Sequence, residues 1–215
     1  MKKGAIFDMD GLLFDTERLF CQSETNAAYR FNQTPHPDFT KAISGTNGEK
    51  ALEVIRTYYP AVDPHEFWDY CINEVTEMLK KSVPKKPGVD DILDFFQSCG
   101  VKMAVASSSS REMIQHNIQK AGIADYFQVI VSGIDIGKSK PAPDIFLKAA
   151  ELLELSPTEC YVFEDSLNGV RAGVAAGCAS IMIPDLAQPT PDILESCEAV
   201  YSSLSEACQA LRDTM

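Results

Sequence analysis

Two carboxylates, Asp8 and Asp10, stand directly after a short apolar run and directly before Gly11. Two acids at this spacing can share a cleft in different protonation states, one as nucleophile or metal ligand and the other as proton donor. The pattern alone is weak, because a turn with two solvated acids is a commoner arrangement. An EF-hand calcium loop fits less well, since its glycine stands sixth, whereas Gly11 is fourth counted from Asp8.

Four consecutive serines, residues 107 to 110, follow another apolar run. Hydroxyls and free backbone N–H groups at a helix start attract anions, which makes Ser107 and Ser108 candidate phosphate ligands. Helix capping is the alternative and, for this segment taken alone, the favoured one.

Lys140 stands in a segment stiffened by Pro141 and Pro143, where a flexible ammonium can be aimed at a fixed point. Lysines before prolines are usually solvated. We expect nearby Lys138 to be solvated.

A second acidic pair, Glu164 and Asp165, follows the apolar run at 161–163. Carboxylates from two strand ends, together with waters and a substrate phosphate, are ligands that Mg²⁺ prefers. Capping of the next helix by Asp165 explains that residue equally well when it is considered alone.

The elements that must position these groups are short apolar runs alternating with helix-period segments. The runs lie at 5–7, 101–106, 129–131, 161–163 and 179–183. This alternation predicts an α/β fold, a Rossmann-like parallel sheet with helices on both faces, in which ligands bind outside the carboxyl ends of the strands. The spacing of Gly169, Gly173 and Gly177 predicts a helix that lies close to this sheet.

One connection is too long for a simple crossover. About ninety residues separate the first strand from the one near Val101, whereas a crossover needs only about a dozen. The excess predicts an inserted α-helical domain at residues 16–84, with the α/β core formed by residues 1–15 and 85–215. Breakers at 34–37, 44–48 and 59–60 divide the insert into four segments. A helical stripe supports one of them: Phe67, Cys71, Ile72, Val75 and Leu79.

The formal net charge of −12, from 19 basic and 31 acidic residues, argues against a nucleic-acid or anionic-membrane surface. A phosphorylated substrate then needs local positive charge, most simply a metal ion. Seven scattered cysteines without a CxxC pair indicate reduced thiols. Because no apolar run is long enough for a signal peptide or a membrane span, we expect a soluble, cytoplasmic protein. We also expect a monomer.

Taken together, these segments resemble a known family. The sequence is similar to the haloacid dehalogenase-like (HAD) superfamily in four motifs, in order: Asp8-x-Asp10-Gly11-x-x-x-Asp15, the strand ending in Ser107, Lys140-Pro141, and Glu164-Asp165. The resemblance spans residues 4 to 183. The insert looks like the cap of the beta-phosphoglucomutase-like branch.

The resemblance implies a mechanism. Asp8 attacks phosphorus in line and forms an aspartyl-phosphate, while Asp10 protonates the leaving alcohol and later deprotonates water. Mg²⁺ is implied at Asp8, Asp165 and the backbone carbonyl of Asp10, with Glu164 in support. Lys140 is implied to offset the charge of phosphate and Asp8.

The remaining implied contacts concern the substrate. Ser107 and Ser108 grip the phosphate together with Lys140, and a cap loop lies near the leaving group. Its candidate residues are Gly45, Thr46 and Asn47. We expect a small phosphomonoester, such as a sugar phosphate, as the partner of this site.

Four alternatives compete with a phosphatase; the sequence argues against the first three, and the fourth stays open. A response-regulator receiver domain carries its acidic pair first and its phospho-acceptor mid-chain, without a cap. A haloacid dehalogenase does not need Asp10, and a binding module does not need all four motifs. The fourth, a beta-phosphoglucomutase, is implied to carry a cap histidine and a cap-loop arginine where this sequence has Phe20 and Gly48. Lys50 is a partial substitute for the arginine.

Overall fold

The computed structural model of the chain describes residues 1–43, 46 and 48–214. The chain divides into two compact units, a core unit of Met1–Phe14 with Pro84–Met215 and an inserted unit of Asp15–Val83. Every strand in the described residues belongs to the core unit. The sequence placed the insert at 16–84, so each predicted boundary lies one residue further along the chain.

The described part of the inserted unit contains four helices: α1 (Thr16–Arg30), α2 (Phe39–Ile43), α3 (Gly48–Tyr58) and α4 (Pro64–Lys81). The α4 start is fixed by the Asp63 carboxylate, which accepts hydrogen bonds from the backbone N–H groups of His65 and Glu66 at 2.8 and 3.1 Å. Although α4 spans 18 residues, neither it nor any other helix in the described ranges is long and apolar enough to cross a membrane.

The core of the inserted unit is rich in aromatic side chains. Phe39 and Phe67 are buried and lie edge to face, with ring centroids 5.6 Å apart. The predicted α4 stripe is confirmed at four of its five positions, while Ile72 is only half-buried.

The core unit is built on a six-stranded parallel sheet. Its strands are β1 (Gly4–Phe7), β2 (Lys102–Ser107), β3 (Val129–Ser132), β4 (Cys160–Glu164), β5 (Ala179–Met182) and β6 (Ala199–Val200). They lie in the order β3-β2-β1-β4-β5-β6, and each pair is parallel. The predicted α/β fold is therefore confirmed. The sequence missed β6, because two residues carry no readable periodicity.

Within the described residues, seven α-helices accompany the sheet: α5 (Val89–Ser98), α6 (Arg111–Lys120), α7 (Gly133–Ile136), α8 (Asp144–Leu152), α9 (Leu167–Ala175), α10 (Pro191–Ser196) and α11 (Leu204–Asp213). Ile6 packs in one cluster with Phe146 of α8. The ring of Phe7 contacts Phe96 of α5, with centroids 6.1 Å apart. Because successive strand side chains point to opposite faces, α8 and α5 cover different faces of the sheet.

The strand order reverses at β1. Phe7 pairs with Val105 of β2 on one side and with Phe163 of β4 on the other. Ligands of open α/β sheets bind in the crevice at such a switch point, outside the carboxyl ends of the strands. Asp8 directly follows β1, and Glu164 is the last residue of β4.

Close approach of α9 to the sheet is confirmed for two of its three predicted glycines. A Cβ on Gly169 would lie 1.8 Å from the Glu164 carboxyl carbon, and one on Gly173 would lie 2.4 Å from Ser180 Oγ. Gly177 does not pack against the sheet, although the sequence correctly indicates that the helix opened by Ser166 closes near it. Gly177 has φ +83° and open space around it, so it ends the helix in the left-handed conformation instead of packing.

The core segments that lead into and out of the insert, which end at Phe14 and resume at Pro84, are paired with each other. Lys86 N–H donates to the Leu13 carbonyl at 2.9 Å, and Phe14 forms an antiparallel bridge with Lys85. The Lys86 ammonium also contacts Asp185, after β5, at 2.7 Å.

All seven cysteines are free thiols. Burial raises the pKa of Cys71 and of Cys178 to about 12, and that of Cys160 to about 11. These three thiols therefore stay protonated near neutral pH and are poor nucleophiles.

Candidate active site

The first acidic loop is fixed by hydrogen bonds and by one glycine. Asp8 N–H donates to the Phe163 carbonyl of β4 at 3.0 Å, and its carboxylate is buried. Gly11 has φ +84°, and a Cβ there would lie 2.3 Å from Asp165 Oδ2. Only glycine satisfies both the left-handed conformation and this close approach. The turn therefore brings the two acidic segments together.

Lys140 lies between two carboxylates of this site. Its Nζ donates to Asp8 Oδ1 and to Glu164 Oε1, each at 2.5 Å, and to the Ala106 carbonyl at 3.3 Å. The ammonium also lies 5.0 Å from the centroid of the Phe146 ring. The lysine that the sequence singled out is thus aimed at the predicted nucleophile.

Burial and neighbouring charges both shift the pKa values of Asp8 and Lys140. Burial raises the pKa of Asp8 to about 8; Lys140 opposes the shift, and Glu164 adds to it. For Lys140, burial lowers the pKa, but the carboxylates of Asp8 and Glu164 raise it further, so the net shift is upward. The 2.5 Å contacts make this an ammonium held between carboxylates. Burial, and to a lesser extent the Glu164 carboxylate, raise the pKa of Asp8, and an added cation would oppose both effects.

Glu164 is fully buried, and its carboxylate accepts three hydrogen bonds from Ser166 and Lys140. Its Oε2 accepts hydrogen bonds from Ser166 N–H at 3.1 Å and from Ser166 Oγ at 2.9 Å, while Oε1 meets Lys140. Gly169 leaves room for the carboxylate, because any side chain there would overlap it. Ser166, not Asp165, caps α9, accepting from Gly169 N–H.

Asp8, Glu164 and Asp165 form an oxygen cluster. One carboxylate oxygen from each lies within 4.8 Å of the others. Carboxylate oxygens are the ligands that Mg²⁺ prefers, and it completes its shell with waters and a substrate phosphate. The donor set therefore fits a hard divalent cation.

Two hydroxyls of the serine run donate hydrogen bonds to the Asp10 carboxylate. Its Oδ2 accepts hydrogen bonds from Ser109 Oγ at 2.8 Å and from Ser107 Oγ at 3.3 Å. Ser108 is exposed, and Ser110 caps α6. Sequence analysis missed Ser109. The only available signal was the run of four serines, which does not reveal which hydroxyl faces the acid.

The two lysines of the third motif differ as expected. Lys138 is exposed and pairs with Asp144 at 2.8 Å, whereas the Lys140 side chain is 9% exposed. Lys138 is therefore a matched control for Lys140.

The cap-loop candidates are only partly described. Gly45 and Asn47 lie outside the described residues. Thr46 is half-buried, and its Oγ1 donates to the Ile43 carbonyl at 2.6 Å. Gly48 begins α3, and Phe20 stacks with Trp68 at a centroid distance of 6.4 Å.

A family model described as haloacid dehalogenase-like hydrolase matches residues 5–183. The chain belongs to this family. The family and hydrolase class predicted from the four motifs are therefore confirmed, and the match includes both acidic pairs, the serine run and Lys140.

Individual relatives agree with this assignment. A phosphorylated carbohydrates phosphatase of Thermotoga maritima is 30% identical over 184 residues, 83% of this HAD-like chain and 83% of that protein. A bifunctional riboflavin kinase/FMN phosphatase of Arabidopsis thaliana is 31% identical over 210 residues, 97% of this chain and 53% of that protein. The crystal structure of a T. maritima protein described as a candidate beta-phosphoglucomutase is 26% identical, with a TM-score of 0.83 over 99% of this chain and 100% of that one.

Proposed function

We propose that the protein is a magnesium-dependent phosphatase that hydrolyses a small phosphomonoester through an aspartyl-phosphate on Asp8. The observation that carries this proposal is the placement of Lys140 Nζ at 2.5 Å from both Asp8 and Glu164. Asp165 completes the oxygen cluster. An anionic nucleophile, an adjacent cation and an oxygen-rich metal site are the groups that phosphoryl transfer needs.

Mg²⁺ would be held by Asp8, Asp165 and the backbone carbonyl of Asp10, with Glu164 supporting the site. When bound, it would supply positive charge that polarises the phosphoryl oxygens. The raised pKa of Asp8, caused mainly by burial, with Lys140 opposing the shift and Glu164 adding to it, supports a requirement for positive charge beyond that of Lys140.

The chain's own residues carry the two steps. Asp8 attacks phosphorus, the bond from phosphorus to the leaving oxygen breaks, and Asp10 gives that oxygen a proton. Water then attacks the aspartyl-phosphate, Asp10 takes the proton, and phosphate and the Asp8 carboxylate are released. Ser107 and Ser108 hold the phosphate oxygens. Ser109 Oγ, at 2.8 Å from Asp10, orients the acid.

The inserted unit serves as a cap that sets specificity. It excludes water during phosphorylation of Asp8. Gly45, Thr46 and Asn47 are the cap residues that we propose for recognition of the leaving group. The name of the T. maritima relative, a phosphorylated carbohydrates phosphatase, supports a sugar phosphate or a similar compound as substrate.

A beta-phosphoglucomutase is the second candidate, favoured by the likeness to the T. maritima structure. Two cap positions oppose it. The ring of Phe20 has no proton to exchange, and Gly48 has no side chain to bind a second phosphate. Lys50 is exposed on α3 and is the candidate replacement.

One assay separates the two functions. The protein is incubated with beta-glucose 1-phosphate, Mg²⁺ and a trace of the bisphosphate, and glucose 6-phosphate and free phosphate are followed together. Phosphate release without isomerisation supports the phosphatase, and rapid isomerisation with little phosphate overturns it. A panel of phosphomonoesters with and without chelator tests the metal. We expect chelation to abolish turnover, Mg²⁺ to restore it and Ca²⁺ to inhibit, because the larger ion favours looser coordination; full turnover after exhaustive chelation contradicts the metal site.

A further inference from the structure

A fully buried polar side chain on α6 contacts the loop of Asp8, Met9 and Asp10, which we call the nucleophile loop. Asn117 is 0% exposed, and its Nδ2 donates to Met9 Sδ at 3.9 Å. Within the described part of the chain, Asn117 Oδ1 has no hydrogen-bond partner. A buried amide oxygen without a partner destabilises a fold, because its hydrogen bonds to water are lost and not replaced. Packing alone therefore does not explain an asparagine at this position.

Met9 stands between the proposed nucleophile, Asp8, and the proposed acid, Asp10. Its side chain is also fully buried, and its carbonyl accepts hydrogen bonds from the N–H groups of Leu13 and Phe14, each at 3.0 Å. The turn therefore fixes the Met9 backbone, whereas the side chain keeps three rotatable bonds. A thioether sulfur is only a weak acceptor, but an amide donor aimed at it favours one rotamer over the others.

The same helix contacts the nucleophile loop at a second point. Ser109 Oγ donates to Asp10 Oδ2 at 2.8 Å, and α6 begins directly after its cap, Ser110. Asn117 lies about two turns further along the helix. The start of α6 therefore contacts the carboxylate of Asp10, and a later turn contacts the side chain of Met9. Two contacts from one helix fix both the position and the direction of the loop, whereas one contact leaves it free to pivot.

We propose that Asn117 is a positioning residue that acts through Met9 to hold Asp10 where it can protonate the leaving oxygen. Without the amide, Met9 can change rotamer, and the loop can pivot about the contact from Ser109 to Asp10. Proton transfer is sensitive to such a shift, because the acid must stay within hydrogen-bond reach of the oxygen. This inference rests on the proposed phosphatase function and extends it to a residue that does not touch the substrate.

Asn117→Leu tests the proposal, because leucine has the same number of side-chain heavy atoms and the same branch point but no donor. The substrates are 4-nitrophenyl phosphate and ribose 5-phosphate, or the fastest sugar phosphate of the panel. We expect kcat on the sugar phosphate to fall roughly tenfold, since a misplacement of about 1 Å can cost on the order of 10²-fold. On 4-nitrophenyl phosphate, whose leaving group needs little protonation, kcat should fall less than about threefold. KM should stay close to that of the parent.

Ser180→Ala is the matched control. Ser180 is buried on β5, and among the described residues its Oγ likewise has no hydrogen-bond partner. Its partner in β4 is Val162, not a residue of the nucleophile loop. Asn117→Leu and Ser180→Ala both remove an unpartnered buried oxygen, so neither should lower the melting temperature. Only Asn117→Leu should change the ratio of the two kcat values, and an equal change of this ratio in Ser180→Ala overturns the inference.

Met9→Leu approaches the contact from its other side, because it removes the sulfur and keeps apolar volume. It should reproduce the selective loss. The variant that combines Met9→Leu with Asn117→Leu should lose no more than either single variant, because one contact carries both effects. Losses that multiply in the double variant overturn the inference. If circular dichroism shows that Asn117→Leu does not fold, Met9→Leu decides alone: a selective loss supports the inference, and an unchanged kcat ratio overturns it.

The two substrates also separate this inference from the function on which it rests. Equal losses on both substrates, or no loss on either, in an Asn117→Leu variant that folds remove Asn117 from the positioning role and leave the phosphatase standing. If the parent hydrolyses no phosphomonoester with Mg²⁺, the proposed function fails, and the inference fails with it.

Discussion

The core unit and the inserted unit treat their buried carboxylates differently. In the core, Asp8 and Glu164 face the Lys140 ammonium at 2.5 Å, so their partner inside the protein is a cation. In the insert, Glu24 is buried and accepts a hydrogen bond from the neutral Thr40 hydroxyl at 2.5 Å. Burial raises the pKa of Glu24 to about 7; Thr40 opposes the shift, and Glu17 adds to it.

This difference separates chemistry from recognition. The core concentrates charge where strand ends converge, which is what attack on a phosphate requires. The insert gives its buried carboxylate an uncharged hydroxyl partner and presents aromatic surface at Phe20 and Trp68. Substitutions in the two units should therefore fail in different ways, and four predictions test this.

The largest effect is expected for Asp8→Asn. An amide cannot act as the nucleophile, so turnover should fall by about 10⁴-fold or more, while the far-ultraviolet circular dichroism stays that of the parent. Intact-mass measurement after mixing with substrate should show no phosphoenzyme. A substantial phosphoenzyme in this variant would place the nucleophile on another residue.

Lys140→Ala comes next, with Lys138→Ala as its control. Removing the ammonium leaves two buried carboxylates uncompensated, which costs about 3–5 kcal/mol of stability. We expect activity to fall roughly 10²- to 10³-fold. Lys138 is in an exposed ion pair, where loss costs at most about 1 kcal/mol. Steady-state kinetics and thermal unfolding of both variants check this, and the reverse order of effects would assign the motif to the wrong lysine.

Asp10→Asn should discriminate between leaving groups. A sugar alkoxide needs a proton and an aryl oxide needs far less, so the loss should be about 10²- to 10⁴-fold on sugar phosphates and smaller on 4-nitrophenyl phosphate. Ser109→Ala should show the same selectivity with a smaller amplitude, because its hydroxyl acts through Asp10. Equal losses on both substrates would remove Asp10 from the acid role.

The smallest effect is expected in the insert, for Glu24→Gln. Because the folded pKa of Glu24 is about 7 and lies above the unfolded value of about 4.3, the ionised form disfavours folding. The parent protein should therefore lose up to about 3 kcal/mol of unfolding free energy as the pH rises from 4.5 to 7. Glu24→Gln should lack this loss, while the exposed Glu53→Gln should retain it. Urea unfolding at several pH values decides, and parallel curves for all three proteins would contradict the assignment.

The core was readable from the sequence because topology does the positioning. Strand ends in a parallel sheet share one edge, so polar residues after separate strands can be placed together without knowing any side-chain conformation. Asp8 and Glu164 are 156 residues apart, yet both contact Lys140. What sequence analysis missed was local, namely the contact of Ser109 with Asp10 and the open space around Gly177.

The insert was readable only as four helices. Amphipathic stripes identify which residues pack inward, but they do not say which helices meet. The stacking of Phe20 with Trp68 and the hydrogen bond from Thr40 to Glu24 depend on the relative rotation of helices within the unit, which no short-range pattern encodes.

The side-by-side linkers carry a consequence for how such an enzyme diversifies. Because Leu13 and Lys86 are hydrogen-bonded to each other and every strand in the described residues belongs to the core, the insert is topologically a loop. Its length and its fold are free to change without altering the strand order or the register of any strand pair. Insertion, exchange or truncation at this point of the chain can therefore change the substrate range, while the residues at the sheet edge stay the same.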